Sequence, residues 1–215
     1  MENWFDQKRL LVISVFLVLA GIGTYVFQSM MEKKEQEGKT ALYKVQKTFE
    51  EESKQIPEAD KVPGAALDVD SRFSKTVAEL NAILKSKSVE ERALYEAAFR
   101  LGSLYLENRQ PEKATIPLRE GVGFSKSGIQ RASVQYLLGT AFEQANQAKE
   151  ALGAFQDGLS QNVEAMKGEF LLALVRVHVQ RKDIEEAKKI SSQIGKDFPG
   201  TKLSESANQL LKDVK

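Results

Sequence analysis

Leu101-Gly102-Ser103-Leu104-Tyr105 and, further along, Leu138-Gly139-Thr140-Ala141-Phe142 share one pattern: Leu-Gly, then an aromatic ring three residues after the glycine. The two glycines are 37 residues apart, and each is followed 12 residues later by an alanine, Ala114 and Ala151. Four residues beyond each alanine stands a large apolar side chain, Leu118 and Phe155. Recurrence at fixed internal spacing marks an array of repeated units. Glycine has no Cβ, so a neighbouring helix can cross closely at Gly102 and Gly139. If each unit is a pair of helices, the rings would fill the space between them and the alanines would sit where the two helices cross tightly. A third, weaker copy holds Leu174, His178, Ala187 and Pro199, with Ala187 36 residues after Ala151.

Over residues 88 to 200 this pattern resembles the tetratricopeptide repeat family, whose units run Leu-Gly, aromatic, Ala, aromatic, Pro. The resemblance implies an α-solenoid of helix pairs in which the first helix of each pair lines a concave, protein-binding face. The chain departs from the family in three ways. Its periods exceed the usual spacing of about 34 residues. Ala98 and Gln135 stand where the family carries Trp, and the Pro occurs only at Pro199. In addition, Pro117 falls inside a predicted second helix, where it costs about 3 kcal/mol if the helix runs unkinked.

The totals agree with helices. Among 215 residues there are only 5 Pro and 14 Gly, and no stretch alternates as a strand would. The fold class expected is all-α. Lys and Arg number 31 against 30 Asp and Glu, a net charge of +1, which gives no electrostatic reason to expect nucleic acid. There is no Cys, which removes disulfides, thiolate metal sites and Cys nucleophiles.

Toward the N-terminus, residues 10 to 31 hold no charge. As a helix they would span roughly 33 Å, enough for a bilayer core of about 30 Å. Lys8 and Arg9 bound the run on one side, and Glu32, Lys33 and Lys34 on the other. Trp4, Phe5, Tyr25 and Phe27 lie near its ends, where such rings favour the membrane interface. A signal peptide cleaved near Gly21, with Val18 and Ala20 as the small residues before the cut, is the alternative, but the apolar run continues eleven residues past Ala20. The predicted organisation is a short tail (1–9), one transmembrane helix (10–31), a charged amphipathic helix and linker (32–70), and a tetratricopeptide-like helical domain (71–215). The short basic tail favours an N-terminus in the cytoplasm and the domain outside it.

Between anchor and repeats, Leu42, Val45 and Phe49 form a narrow apolar stripe. A breaker segment at 56–69 contains Pro57, Pro63 and Gly64. Phe73, Val77, Leu80, Ile83 and Leu84 mark a further helix face. Capping boxes are expected at Ser88 with Glu91 and at Ser127 with Gln130, with an acidic variant at Asp183 and Glu186. Thr201 opens a last short helix carrying Leu203, Leu210 and Leu211.

Helical period assigns outward-looking positions on the first helices: Phe99, Ser103 and Leu106; Tyr136, Thr140 and Glu143; Leu172, Arg176 and Val179. These nine residues are the predicted partner-binding groove. The mixture is apolar with scattered polar groups, suited to an extended chain or a partner helix, and it lacks a Lys and Asn cluster that would clamp a terminal carboxylate. No catalytic residue, metal site or cofactor is expected. His178, the only His, occupies an aromatic position of the repeat and is read as a packed ring. Gly121, Gly123, Lys126 and Ser127 fail as a phosphate loop, since no Gly precedes the Lys and no strand precedes the segment. Glu50, Glu51 and Glu52, like Glu90 and Glu91, are read as solvated helix faces.

The whole layout, a short tail, one anchor, a charged helix with Ala41-Leu42-Tyr43 and then irregular repeats, resembles the ancillary Sec-translocon subunits of bacterial inner membranes. That resemblance implies a single-pass protein with its domain in the periplasm. Its partners would be translocon subunits, periplasmic chaperones or unfolded clients, with no nucleic acid and no small-molecule substrate. A structural subunit of another envelope machine, for division or secretion, is the alternative reading.

Overall fold

The computed structural model describes residues 2–57 and 68–212, with side chains from residue 19 onward. Among the described residues there are ten helices and no strand: α1 (Glu2–Lys54), α2 (Val69–Arg72), α3 (Ser74–Lys85), α4 (Glu91–Glu107), α5 (Pro111–Phe124), α6 (Gly128–Gln144), α7 (Ala148–Leu159), α8 (Glu164–Gln180), α9 (Ile184–Asp197) and α10 (Lys202–Lys212). Three antiparallel pairs, α4–α5, α6–α7 and α8–α9, stack in sequence, and α10 covers the last pair. The first helix of every pair has 17 residues, so the 36- and 37-residue periods of the sequence are a spatial repeat.

Within the pairs the glycines do what the pattern requires. A Cβ on Gly102 would collide with the Leu118 side chain, and one on Gly139 would sit 2.5 Å from Phe155 Cε1. Ala114, Ala151 and Ala187 are fully buried at the crossings. The third pair solves the same crossing differently: Val175 stands at the glycine position and Ser191 at the large one, both buried. Between pairs, Gly121 faces Val134 of the next unit, and Gly158 lies against the Phe170 ring. Pro117 is accommodated inside α5 and buried.

The turns joining first to second helices also repeat, by a device with no sequence signature. Arg109, Asn146 and Lys182 adopt φ of 57°, 58° and 63°. In each turn the next N–H reaches back to the carbonyl of the ring position: Gln110 to Tyr105, Gln147 to Phe142 and Asp183 to His178, at 2.9, 2.8 and 2.8 Å. The left-handed residue donates to the carbonyl three before it, at Leu106, Glu143 and Val179. This is the Schellman closure, usually built on glycine.

The predicted caps divide. Ser127 accepts from Gln130 N–H while the Gln130 side chain accepts from Ser127 N–H, a complete capping box. Ser88 does not cap: α4 starts after Glu90, and Ser88 N–H donates to Ser86 Oγ instead. Asp183 occupies the cap position of α9, but its carboxylate turns to Arg181 Nε at 2.9 Å. Thr201 accepts from Ser204 N–H ahead of α10, whose Leu203, Leu210 and Leu211 pack on the core as expected.

From about residue 34, α1 joins the domain. Val45 is buried, Leu42 and Phe49 pack beside it, and Phe49 stacks on Phe73 with ring centroids 5.3 Å apart. Gly38 marks a close crossing that the sequence reading did not single out, since a Cβ there would lie 2.8 Å from Ala93 Cβ. Glu52 corrects the reading of residues 50–52 as a solvated face. It is 8% exposed, and its carboxylate accepts from the N–H groups of Lys75 and Thr76 at 3.0 and 3.1 Å. A carboxylate from α1 thus caps the positive end of α3, satisfying donors that no side chain of α3 satisfies. Val69, placed in the breaker segment by sequence, opens α2 and is fully buried. Residues 58–67 of that segment lie outside the described residues.

The predicted anchor falls within the backbone of α1, but the side chains of residues 10–18, like those of the tail, lie outside the described residues. Among the described residues no helix is long and apolar enough to cross a membrane. Of the run's remainder, Leu19, Ile22, Tyr25, Val26, Phe27, Met30 and Met31 are all exposed, with no side chain of the domain covering them.

Candidate protein-binding groove

The nine groove positions recur at the same places on α4, α6 and α8, so the solenoid brings them together as three consecutive rungs. Eight are half-buried: Phe99, Ser103, Tyr136, Thr140, Glu143, Leu172, Arg176 and Val179. Leu106 is 9% exposed and belongs to the core.

The first rung is walled by the chain itself. Phe99 and Ser103 line a cleft of about 350 Å³ with Val45, Gln46 and Phe49 of α1 and Thr76 and Leu80 of α3. Arg100 closes one side by donating to Gln46 Oε1 at 3.3 Å. Sequence reasoning missed the α1 wall. Its stripe was visible, but nothing local said that it would run alongside α4.

Aromatic contact dominates the second rung. The Tyr136 ring lies 5.8 Å from Phe155 and 5.5 Å, edge-on, from Phe170. One face of this ring therefore helps to join α6, α7 and α8, and only the remainder is available to a partner. Leu138 is buried, whereas Leu137, like Tyr136, is half-buried.

The third rung carries charge that is already paired. Arg176 donates from Nε and Nη2 to the two carboxylate oxygens of Glu143 at 2.9 and 2.8 Å. Such a bidentate pair fixes α8 against α6 and leaves little of either group for an incoming ligand. Leu172 and Val179 flank it with apolar surface.

Outside the groove, the ring position of the third copy holds His178, with its side chain 12% exposed and Nδ1 3.6 Å from Asp183 Oδ2. A second polar cluster ties α2 to the first pair: Tyr105 Oη donates to Asp70 Oδ1 at 2.6 Å, and Lys113 Nζ lies 2.5 Å from Asp70 Oδ2. Hydrogen bonding from Lys113 and then Tyr105 holds the Asp70 carboxyl below its ordinary range. Burial and then Asp70 push the Tyr105 phenol up. These groups are structural staples at an edge of the domain. Among the described residues no group of three or more His, Asp or Glu is placed to hold a metal ion.

Three stacked helix pairs with buried alanines at their crossings, glycines on the facing helices of the first two, ring positions and a half-open row on the first helices form an all-α helical-repeat domain, as the resemblance to tetratricopeptide repeats implied. The fold is similar to a crystal structure of MamA, with a TM-score of 0.45 and 19% identity over 68% of this chain and 88% of that one. No family model and no curated protein matches the sequence.

Proposed function

We propose that the protein is a membrane-anchored, non-enzymatic scaffold whose concave face captures other polypeptides. The observation that carries this reading is the row of half-exposed apolar and aromatic side chains, Phe99, Tyr136, Leu172 and Val179, on successive first helices. Such a row offers separated apolar contact points at the spacing of stacked helices, and its one charged pair is internally satisfied, so affinity would come from apolar contact. The uncharged run at residues 10–31 supports a single-pass anchor in a bacterial inner membrane, with the tail cytoplasmic and the domain periplasmic. The whole layout supports a place beside the Sec channel, linking emerging polypeptides to periplasmic chaperones. A structural subunit of a division or secretion machine shares the same surface and differs in its occupant.

The test is a photoreactive residue at Leu172, with Ile116, 67% exposed on α5, as a control. The scaffold reading expects Leu172 to crosslink a spread of unfolded clients, and the assembly reading a single stoichiometric partner. Crosslinking equal to that at Ile116 would reject the groove. As a second measure, Tyr136→Ala should weaken capture by roughly 1–3 kcal/mol. Because the ring also touches Phe155 and Phe170, the binding titration has to be run beside a melting curve. Leu138→Ala, a core truncation costing roughly 2–5 kcal/mol in stability, gives the pattern of a purely structural loss.

A further inference from the structure

We propose that one edge of the solenoid, formed by the turns between α3 and α4, α5 and α6, and α7 and α8, rests on a membrane surface rich in anionic lipid. The inference rests on the anchor reading above and adds a second, electrostatic contact to it.

The direction of α1 sets which edge this is. Gly38 crosses Ala93 near the start of α4, and Gln46 meets Arg100 further along it, so α1 runs parallel to α4. Against α3 it runs antiparallel: Lys44 pairs with Glu79, and Glu52 caps the helix start. Followed toward its N-terminus, α1 therefore leaves the domain past the start of α4. The apolar run ends at Met31, seven residues before Gly38, a rise of about 10 Å. That distance is close to the headgroup layer, which adds roughly 5–8 Å to each side of the hydrocarbon core.

The turns at this edge are continuous. Lys126 of the α5–α6 turn pairs with Glu91 at the start of α4, and Gly128 approaches Gln161 of the α7–α8 turn. Their charge fits an anionic surface. Residues 85–92, 126–131 and 159–164 together carry five cations, Lys85, Lys87, Arg92, Lys126 and Arg131, against three carboxylates, Glu90, Glu91 and Glu164. The turns at the opposite edge, residues 107–113, 143–150 and 181–186, carry seven carboxylates against five cations. Ile129 stands among the cations, 65% exposed, an apolar side chain placed to enter the headgroup region. Basic residues beside a membrane-crossing helix are the pattern that anionic lipid attracts.

The absence of Cys makes the test direct, because a single introduced thiol labels one site. Full chain carrying an environment-sensitive dye at Ile129→Cys or, on the opposite edge, Glu150→Cys is reconstituted into phosphatidylcholine vesicles with and without a third of phosphatidylglycerol, each containing a headgroup-attached quencher. In the anionic vesicles the dye at 129 should be quenched at least threefold more than the dye at 150. The difference should shrink without phosphatidylglycerol, in about 1 M salt, where the screening length is about 3 Å, and in a Lys87→Glu/Arg131→Glu variant whose helical spectrum is unchanged. Equal quenching at the two positions in vesicles that retain the protein overturns the edge contact and leaves the anchor standing. Failure of the protein to float with either vesicle overturns the anchor, and the edge contact with it.

Discussion

At the closest crossing of α6 and α7, Gly139 lies under the Phe155 ring; at the equivalent place in α8 and α9 the residues are Val175 and Ser191. The first solution puts all the volume on the second helix, and the other divides it the opposite way. The Schellman turns that follow are alike, and both sets of residues are buried. By period these are equivalent positions, and in both pairs a smaller residue on one helix is matched by a larger one on the other, as expected of an interior packed near crystalline density. The identity of either residue alone is free to change, so a motif written one position at a time fades in the third copy while the geometry does not.

Gly139→Leu should cost the most, about 3 kcal/mol, because even its Cβ meets a buried ring with nowhere to retreat. Val175→Leu enlarges a position that already holds a side chain and should cost about 1 kcal/mol. Thermal melts of the two variants showing equal losses would mean that the pairs are not equivalent. Ser191→Phe should destabilise, and Val175→Gly in the same chain should recover about 1–2 kcal/mol, a coupling read by a double-mutant cycle. Additive losses would show that the two positions do not share one space. The smallest effect belongs to the turns. Lys182→Gly should stabilise by about 0.5 kcal/mol, since relief of left-handed strain slightly exceeds the entropy lost by glycine. Asn146→Gly should be near neutral, because asparagine tolerates that conformation better.

The helix pairs were legible in the sequence because their signal is local and repeated: Gly, ring and Ala at fixed offsets, and a capping box at Ser127. The features that escaped share a different property. Glu52 caps donors more than twenty residues away, and nothing near it in sequence announces α3. Ser88 and Asp183 match the capping pattern, yet Asp183 is drawn off by Arg181. Arg109, Asn146 and Lys182 are held in left-handed conformation by the closing helices, so no glycine marked the turns. For the groove, period alone placed eight of nine residues at partly open positions. It could not foresee that α1 walls the first rung, that Tyr136 is partly a core ring, or that Arg176 is already committed to Glu143.

Helix α1 runs without a break from Glu2 to Lys54. If residues 10–31 anchor the chain as proposed, the stretch from Met31 to residue 34 acts as a dial as well as a spacer. Each residue added there would lift the domain by about 1.5 Å and swing it by about 100° around the helix axis. One alanine inserted before residue 34, where α1 joins the domain, would therefore aim the groove in a new direction while leaving the contacts inside the domain untouched, and seven would restore the bearing to within about 20° at a greater height. The length of that stretch encodes an azimuth.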